Sequence, residues 1–361
     1  MGGGHWICRQ GSVKGSGNWK CPPLFVKHNK PPCCLKPGEA PPPPPDPSST
    51  VCQPRQPWPI SDANLLIFVH MPKTGGSSVE MSGLFQDRRE ALGVSYIGGH
   101  HRVMDLLASP LNASPCADYF SFAIARHPCN RLRSLWAYYR EGLGNSIDLS
   151  WVKKHISPAA QRDFSRFVVE MEQPPQKGGV VPWDWRRHLH TQTQVGMLVG
   201  FPDHTYHASG ELKVLVNQVL GQERWNESAR ALDKAMNAPK MLAKRAAVRK
   251  TRVGVGGKST PSGHRAIPVA ASRVDVVSSL LGQHEKPSAH SHETCAAELK
   301  PEAWDALVRM YEVDFCALGY EARRDKQVHE TPPPPTLSSL GPAAIEARFK
   351  GCCDGACAAK L

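Results

Sequence analysis

Residues 70–78 read His-Met-Pro-Lys-Thr-Gly-Gly-Ser-Ser, and those residue types in that order can hold an anion. Gly75 and Gly76 let the backbone come close to a ligand, and the N–H groups that open a following helix have no intrahelical acceptor. Lys73 adds a mobile positive charge, while Thr74, Ser77 and Ser78 add hydroxyl donors. Together they describe a nest for a phosphate or a phosphosulfate. The order differs from a Walker A loop, where lysine follows the last glycine, because Lys73 precedes both glycines. Gly254-Val255-Gly256-Gly257-Lys258-Ser259-Thr260 comes nearer to that pattern, but Arg252 stands where its first glycine belongs. That stretch reads as a flexible loop.

A second cluster follows at Arg126-His127-Pro128-Cys129-Asn130-Arg131-Leu132-Arg133-Ser134. Arg126 leaves the end of an apolar run, and Ser134 lies eight residues later, about two helical turns on, so both can reach one anion beside the first loop. Arginine suits a fixed phosphate because its planar fork makes paired, charge-assisted bonds. Arg131 and Arg133 are expected to be surface charges.

Both clusters need rigid supports. Asn64-Leu65-Leu66-Ile67-Phe68-Val69 and Tyr119-Phe120-Ser121-Phe122-Ala123-Ile124-Ala125 are short continuous apolar runs, each ending at its cluster, as buried parallel strands do. Val79, Met81, Leu84 and Phe85 can then face inward from a helix. Pro128 suits a first helical position, with Leu132, Leu135, Trp136 and Tyr139 at helical spacing. Trp304, Leu307, Val308, Tyr311, Phe315 and Leu318 form another stripe, with Gly319 as a helix stop. Repeated strand–turn–helix units predict an α/β fold with a central parallel sheet flanked by helices. Residues 236–290, rich in Lys, Arg, Gly and Ser, read as loops with at most short helices.

The predicted folded part is 62–324. Residues 1–61 read as a Pro/Cys-rich disordered head, with a run from Pro41 to Pro45, and 325–361 as a Pro-rich, Cys-containing disordered tail. A net charge of +12 favours an anionic partner without choosing among nucleotide, acidic glycan, nucleic acid and membrane. Of the 12 cysteines, Cys116, Cys129, Cys295 and Cys316 lie in the folded part, where they could form disulfides in an oxidising lumen. Their pairing cannot be read from spacing. No run approaches the ~18–20 continuous apolar residues that span a bilayer, and the head shows no signal-peptide core. The sequons Asn112-Ala113-Ser114 and Asn226-Glu227-Ser228 leave the compartment open.

The two clusters resemble the 5′- and 3′-phosphate-binding elements of sulfotransferases that use 3′-phosphoadenosine 5′-phosphosulfate (PAPS). They are most similar to the Golgi carbohydrate type that includes heparan sulfate 2-O-sulfotransferase. Gly99-His100-His101, Thr191-Gln192-Thr193-Gln194 and Tyr311-Glu312-Val313-Asp314-Phe315-Cys316-Ala317-Leu318-Gly319-Tyr320 echo further family elements, so the likeness covers about residues 64–320. The resemblance implies a P-loop-like three-layer α/β fold and a Golgi lumen setting. It places PAPS on Lys73, Thr74, Gly75, Gly76, Ser77 and Ser78, with its 3′-phosphate on Arg126 and Ser134. The implied acceptor is a glycan or glycoconjugate, with no nucleic-acid partner; membrane association is left open, and no anchor is seen in this chain. Departures are His127, where many relatives carry Asp or Asn, and the loose fit of 236–290.

Sulfuryl transfer is in-line and loose, so positioning and charge stabilisation carry most of the catalysis. The leaving group is the 5′-phosphate of adenosine 3′,5′-bisphosphate. Lys73 can stabilise charge on the bridging oxygen, and N–H groups from Gly75 to Ser78 can hold the phosphate oxygens. A metal is not required. The acceptor hydroxyl needs a base with a pKa near working pH, for which histidine is suited. The family's Gly-His pair implies His100, with His101 second and Glu80 a rival two turns beyond Lys73. His188 and His190 are candidates to face the acceptor. A small-molecule P-loop kinase is the alternative enzyme class, and a nucleotide- or glycan-binding relative without turnover is the alternative outside enzymes.

Overall fold

The two apolar runs that end in the Lys73 and Arg126 clusters are neighbouring parallel strands. A computed structural model of the chain describes residues 7–8, 34–35, 59–92, 119–143, 150, 152, 155–173, 189–199, 214–255, 273–281, 295–320, 322 and 339–352. Met1–Thr50 form one unit and Val51–Leu361 a second. In the first, β1 (Ile7–Cys8) pairs antiparallel with β2 (Cys34–Leu35).

The second unit is built on one sheet of β3 (Ile60–Ser61), β4 (Leu66–Val69), β5 (Phe120–Ala125) and β6 (Gln218–Gly221), in that spatial order. β4, β5 and β6 run parallel, while β3 is antiparallel to β4. The sheet is therefore mixed rather than wholly parallel, because the short link 62–65 turns the chain straight back on itself. Val69 pairs with Ala123, and Ala125 with Gly221, so the carboxyl ends of the three parallel strands line one edge. In open α/β sheets the crevice beyond such an edge is where ligands bind.

Alternation along the strands buries both faces. Ile67, Val69, Ala123, Ala125 and Val219 join one core cluster; Leu66, Phe68, Phe122, Ile124 and Leu220 join another. The first is covered by α3 (Pro128–Arg140), α4 (Phe164–Glu172), α10 (Pro301–Leu318) and α11 (Pro342–Cys352), through Leu132, Phe167, Leu307 and Ile345. On the opposite side lie α6 (Trp225–Met236) and α8 (Val276–Leu281), through Leu232 and Leu280. Shorter pieces are α1 (Gly76–Glu80), α2 (Gln86–Leu92), α5 (Gln194–Leu198) and α9 (Cys295–Glu298). Pro128 and Pro301 occupy first turns, and Gly319 closes α10 at φ 74°. None of the described helices is long and apolar enough to cross a membrane.

Three features depart from the sequence reading. α7 (Pro239–Val255) fills part of the stretch expected to be loops. Its Met, Leu, Ala, Lys and Arg are strong helix formers, and their basic charge obscured that. β6 was not foreseen, since Gln-Val-Leu-Gly is too short to register as an apolar run. Residues 339–352, placed in the Pro-rich tail by composition, belong to the core: Leu340 and Val219 exchange two backbone hydrogen bonds of 2.9 Å, and α11 buries Ile345 and Phe349.

Cys129, at the start of α3, is disulfide-bonded to Cys295, at the start of α9, across 166 residues of sequence. Closing so long a loop stabilises the fold by about 5 kcal/mol in the chain-entropy account. Cys316 is disulfide-bonded as well.

Candidate functional site

At the end of β4 the chain takes two left-handed steps, Lys73 at φ 65° and Gly75 at φ 89°. Glycine adopts that conformation without strain, whereas for lysine it costs about 1–2 kcal/mol, a local conflict that clusters at functional turns. Thr74 is buried between them, and its Oγ1 donates to the Met71 carbonyl at 2.9 Å. Ser77 is exposed and Ser78 half-buried, at the start of α1. Beneath the loop His70 is buried, stacked on Phe68, with Nδ1 2.8 Å from Glu80 Oε1. Burial, and secondarily the Lys73 charge, push the imidazole down to about 3, so a neutral ring donates Nδ1–H to the carboxylate.

A Cβ at Gly76 would overlap the His70 ring carbon Cδ2. Gly76→Ala is therefore expected to displace His70, break its bond to Glu80 and destabilise the protein by about 1–3 kcal/mol. Denaturant unfolding reads this directly. An unchanged midpoint would mean that the loop has slack at this point.

Arg126 leaves β5 half-buried, and its Nη1 donates to the Lys73 carbonyl at 3.3 Å, joining the two clusters. The Gln194 side chain fixes its backbone from both sides: Arg126 N–H donates to Oε1 and Nε2 donates to the Arg126 carbonyl, each at 2.8 Å. Gln194 is held in turn by buried Asp314, which accepts from the N–H groups of Gln194 and Val195 at 2.9 Å and so caps α5. Burial pushes the Asp314 carboxyl upward, opposed by Arg131 and by those two N–H groups. Tyr311, where α10 leaves helical geometry, donates its hydroxyl to the Thr191 carbonyl at 2.6 Å. The Thr191–Gln194 run and the 311–320 run thus meet directly behind Arg126.

Arg131 was expected at the surface and is instead buried. Its Nε donates to the Pro72 carbonyl at 3.0 Å, Nη1 to Gln192 at 2.8 Å and Nη2 to His190 at 3.1 Å. Only a guanidinium reaches three divergent carbonyls at once. Arg133 is half-buried and paired with Glu298.

At the same strand edge, Lys73 Nζ lies 4.1 Å from the centroid of the Tyr138 ring. Partial burial and the Arg126 charge lower the ammonium to about 8, with Glu141 opposing. Burial likewise lowers Arg126, against the pull of Glu223. Glu223 follows the end of β6. Its Oε1 accepts from His127 N–H at 2.7 Å and its Oε2 from the Tyr320 hydroxyl at 3.4 Å, yet the residue remains solvent-exposed. Surrounding protein pushes its carboxyl upward, while Arg126 and the two donors pull it down. The Gln222 side chain reaches over Gly75, 3.6 Å from where a Cβ would stand. Ser134 is half-buried on α3.

Lys73, the loop 74–78 and Arg126 therefore lie at the ends of adjacent strands, as their spacing predicted. Glu80 sits under the loop with no exposed surface and engages His70, a place that suits holding the loop rather than meeting an acceptor. His190 is buried, with Nδ1 3.3 Å from the Tyr139 hydroxyl. His100, His101 and His188 lie outside the described residues. Sequence reasoning missed Glu223, Gln222, Tyr138 and the clamp at Arg131; a polar pair after an apolar tetrapeptide is too faint a signal. The arrangement can bind an anion between two cations and stabilise charge developing on it. No family model, curated protein or solved structure matches the chain.

Proposed function

We propose that this protein is a PAPS-dependent O-sulfotransferase acting on a carbohydrate hydroxyl, on a P-loop-like α/β fold. The observation that carries the reading is the bond from Arg126 Nη1 to the Lys73 carbonyl at the edge where β4 and β5 end. It ties the Arg126 guanidinium to the backbone of Lys73, whose ammonium is close enough to feel the Arg126 charge, so one strand edge carries two cations, as a nucleotide with phosphates at both 5′ and 3′ positions demands. The donor set fits that group: half-buried Lys73 and Arg126, exposed Ser77, and a glycine at φ 89° in the turn between Lys73 and Ser77.

In this reading Lys73 neutralises charge on the leaving 5′-phosphate, and N–H groups from Gly75 to Ser77 hold its oxygens, the Ser78 N–H being engaged by the Gly75 carbonyl at 3.2 Å. Arg126 and Ser134 take the 3′-phosphate, and His100 is the base. Glu80 is assigned to positioning the loop through His70. The Cys129–Cys295 disulfide favours an oxidising compartment, in keeping with a Golgi lumen.

The test is transfer of labelled sulfate from PAPS across a panel of glycans, with ATP as a competing donor. Labelled glycan and release of adenosine 3′,5′-bisphosphate are expected. Phosphate transfer from ATP instead would establish the kinase reading, and tight nucleotide binding without product would establish a non-catalytic binder.

A further inference from the structure

The cleft edge that carries Lys73 and Arg126 also carries a carboxylate, and this is unexpected for a surface that receives an anion. Glu223 extends from the end of β6, the strand beside β5, and Arg126 is the cation within its electrostatic reach. Two donors hold it in place, the His127 N–H at 2.7 Å and the Tyr320 hydroxyl at 3.4 Å. Its surroundings are thus Arg126 and His127 from the end of β5, Tyr320 from the turn after α10, and its own neighbour Gln222 above Gly75. Arg126 in turn feels Arg133 and acts on Lys73, Asp314 acts on Tyr320, and the Arg348 guanidinium lies at Gly319 beside it. Glu223 is exposed as a residue, while its two carboxylate oxygens rest on His127 and Tyr320 beside Arg126.

We infer that Glu223 makes anion binding proton-linked: an anion can occupy Arg126 fully only when Glu223 takes up a proton, which turns a repelling carboxylate into a neutral group able to donate a hydrogen bond to the ligand. This rests on the anion-binding reading of the cleft and adds to it a residue that sets when, and for which charge state, the site is filled. The raised titration of the free carboxyl is consistent with this, since the protein packed around that group already disfavours its charge even though the residue as a whole is exposed. An approaching dianion raises it further. Between the free and the bound pKa, binding takes up one proton, so affinity falls by up to about tenfold for each pH unit of increase. Above that window the charged carboxylate weakens binding by a constant factor.

The experiment compares wild type with Glu223→Gln by calorimetric titration of adenosine 3′,5′-bisphosphate and, separately, inorganic sulfate, between about pH 5 and about pH 7.5, where Lys73 stays charged. The variant keeps an oxygen for the His127 N–H, so its fold is retained. Taking the ratio of the two dissociation constants at each pH cancels the probe's own ionisation. That ratio is expected to be near one at the acid end and to rise to about tenfold in favour of the variant at the alkaline end. Tyr320→Phe removes a donor that holds the carboxylate ionised, so it should move the wild-type transition to higher pH. A ratio flat with pH overturns the role of Glu223 while leaving the anion site intact. Failure of wild type to bind either probe at any pH overturns the anion-binding reading and this inference together.

Discussion

Lys73→Ala is expected to lower kcat/KM for sulfuryl transfer by about a hundredfold to a thousandfold, the usual effect of removing a group aimed at developing transition-state charge. The loop is shaped around that side chain. Lys73 takes a left-handed backbone conformation that glycine would adopt more easily, with its ammonium brought over the Tyr138 ring and its carbonyl tied to Arg126. Partial burial lowers its pKa to about 8, so the charge is present below that value and is lost as pH rises through it. Activity in the wild type should therefore decline on an alkaline limb centred near that pH. Lys73→Arg should abolish the limb, because guanidinium stays charged, while its fork fits the site poorly and the rate stays low. Rates with labelled PAPS across pH give all three results. Lys73→Ala within threefold of wild type would remove lysine from the chemistry and leave the cleft as a binding site only.

What could be read beforehand divides along a physical line. Lys73, the glycines after it and Arg126 were legible because a strand, a turn and a helix start are contiguous in sequence, and anion chemistry at such a turn needs only local residues. The supports were not. Gln194 and Asp314 stand 120 residues apart and meet only after the chain has folded. Glu223 looked like one acid among many, since its meaning depends on the parallel pairing of β6 with β5. Arg131 was misjudged for the same reason: charge predicts exposure only when no fixed acceptors await it. α7 stands where a basic, Gly/Ser-containing composition suggests loops, although lysine and arginine favour helices. Residues 339–352 followed a polyproline run, and composition gave no hint that Leu340 would pair with Val219.

The Arg131 clamp carries the second large effect, on stability. Arg131→Ala should lower unfolding free energy by about 3–5 kcal/mol, the range seen when one partner of a buried charged network is removed. Three buried carbonyls, of Pro72, His190 and Gln192, lose their donor together, and each stranded acceptor costs about 1–3 kcal/mol unless water enters. Arg131→Lys should recover only part of the loss, since one ammonium cannot span acceptors that diverge across two segments. Arg133→Ala, on the same helix but with a half-buried partner in Glu298, should cost about 1 kcal/mol or less. Urea unfolding of the three variants gives the ranking. The clamp also links the loop to the segment that fixes Arg126, since Pro72 immediately precedes Lys73 and Gln192 lies two residues before Gln194. Arg131→Lys, if it folds, should therefore bind adenosine 3′,5′-bisphosphate more weakly than wild type even at temperatures well below its melting transition. If Arg131→Ala unfolds at the wild-type urea concentration, the three carbonyls find other donors, and the loop is held by the His70–Glu80 pair beneath it instead.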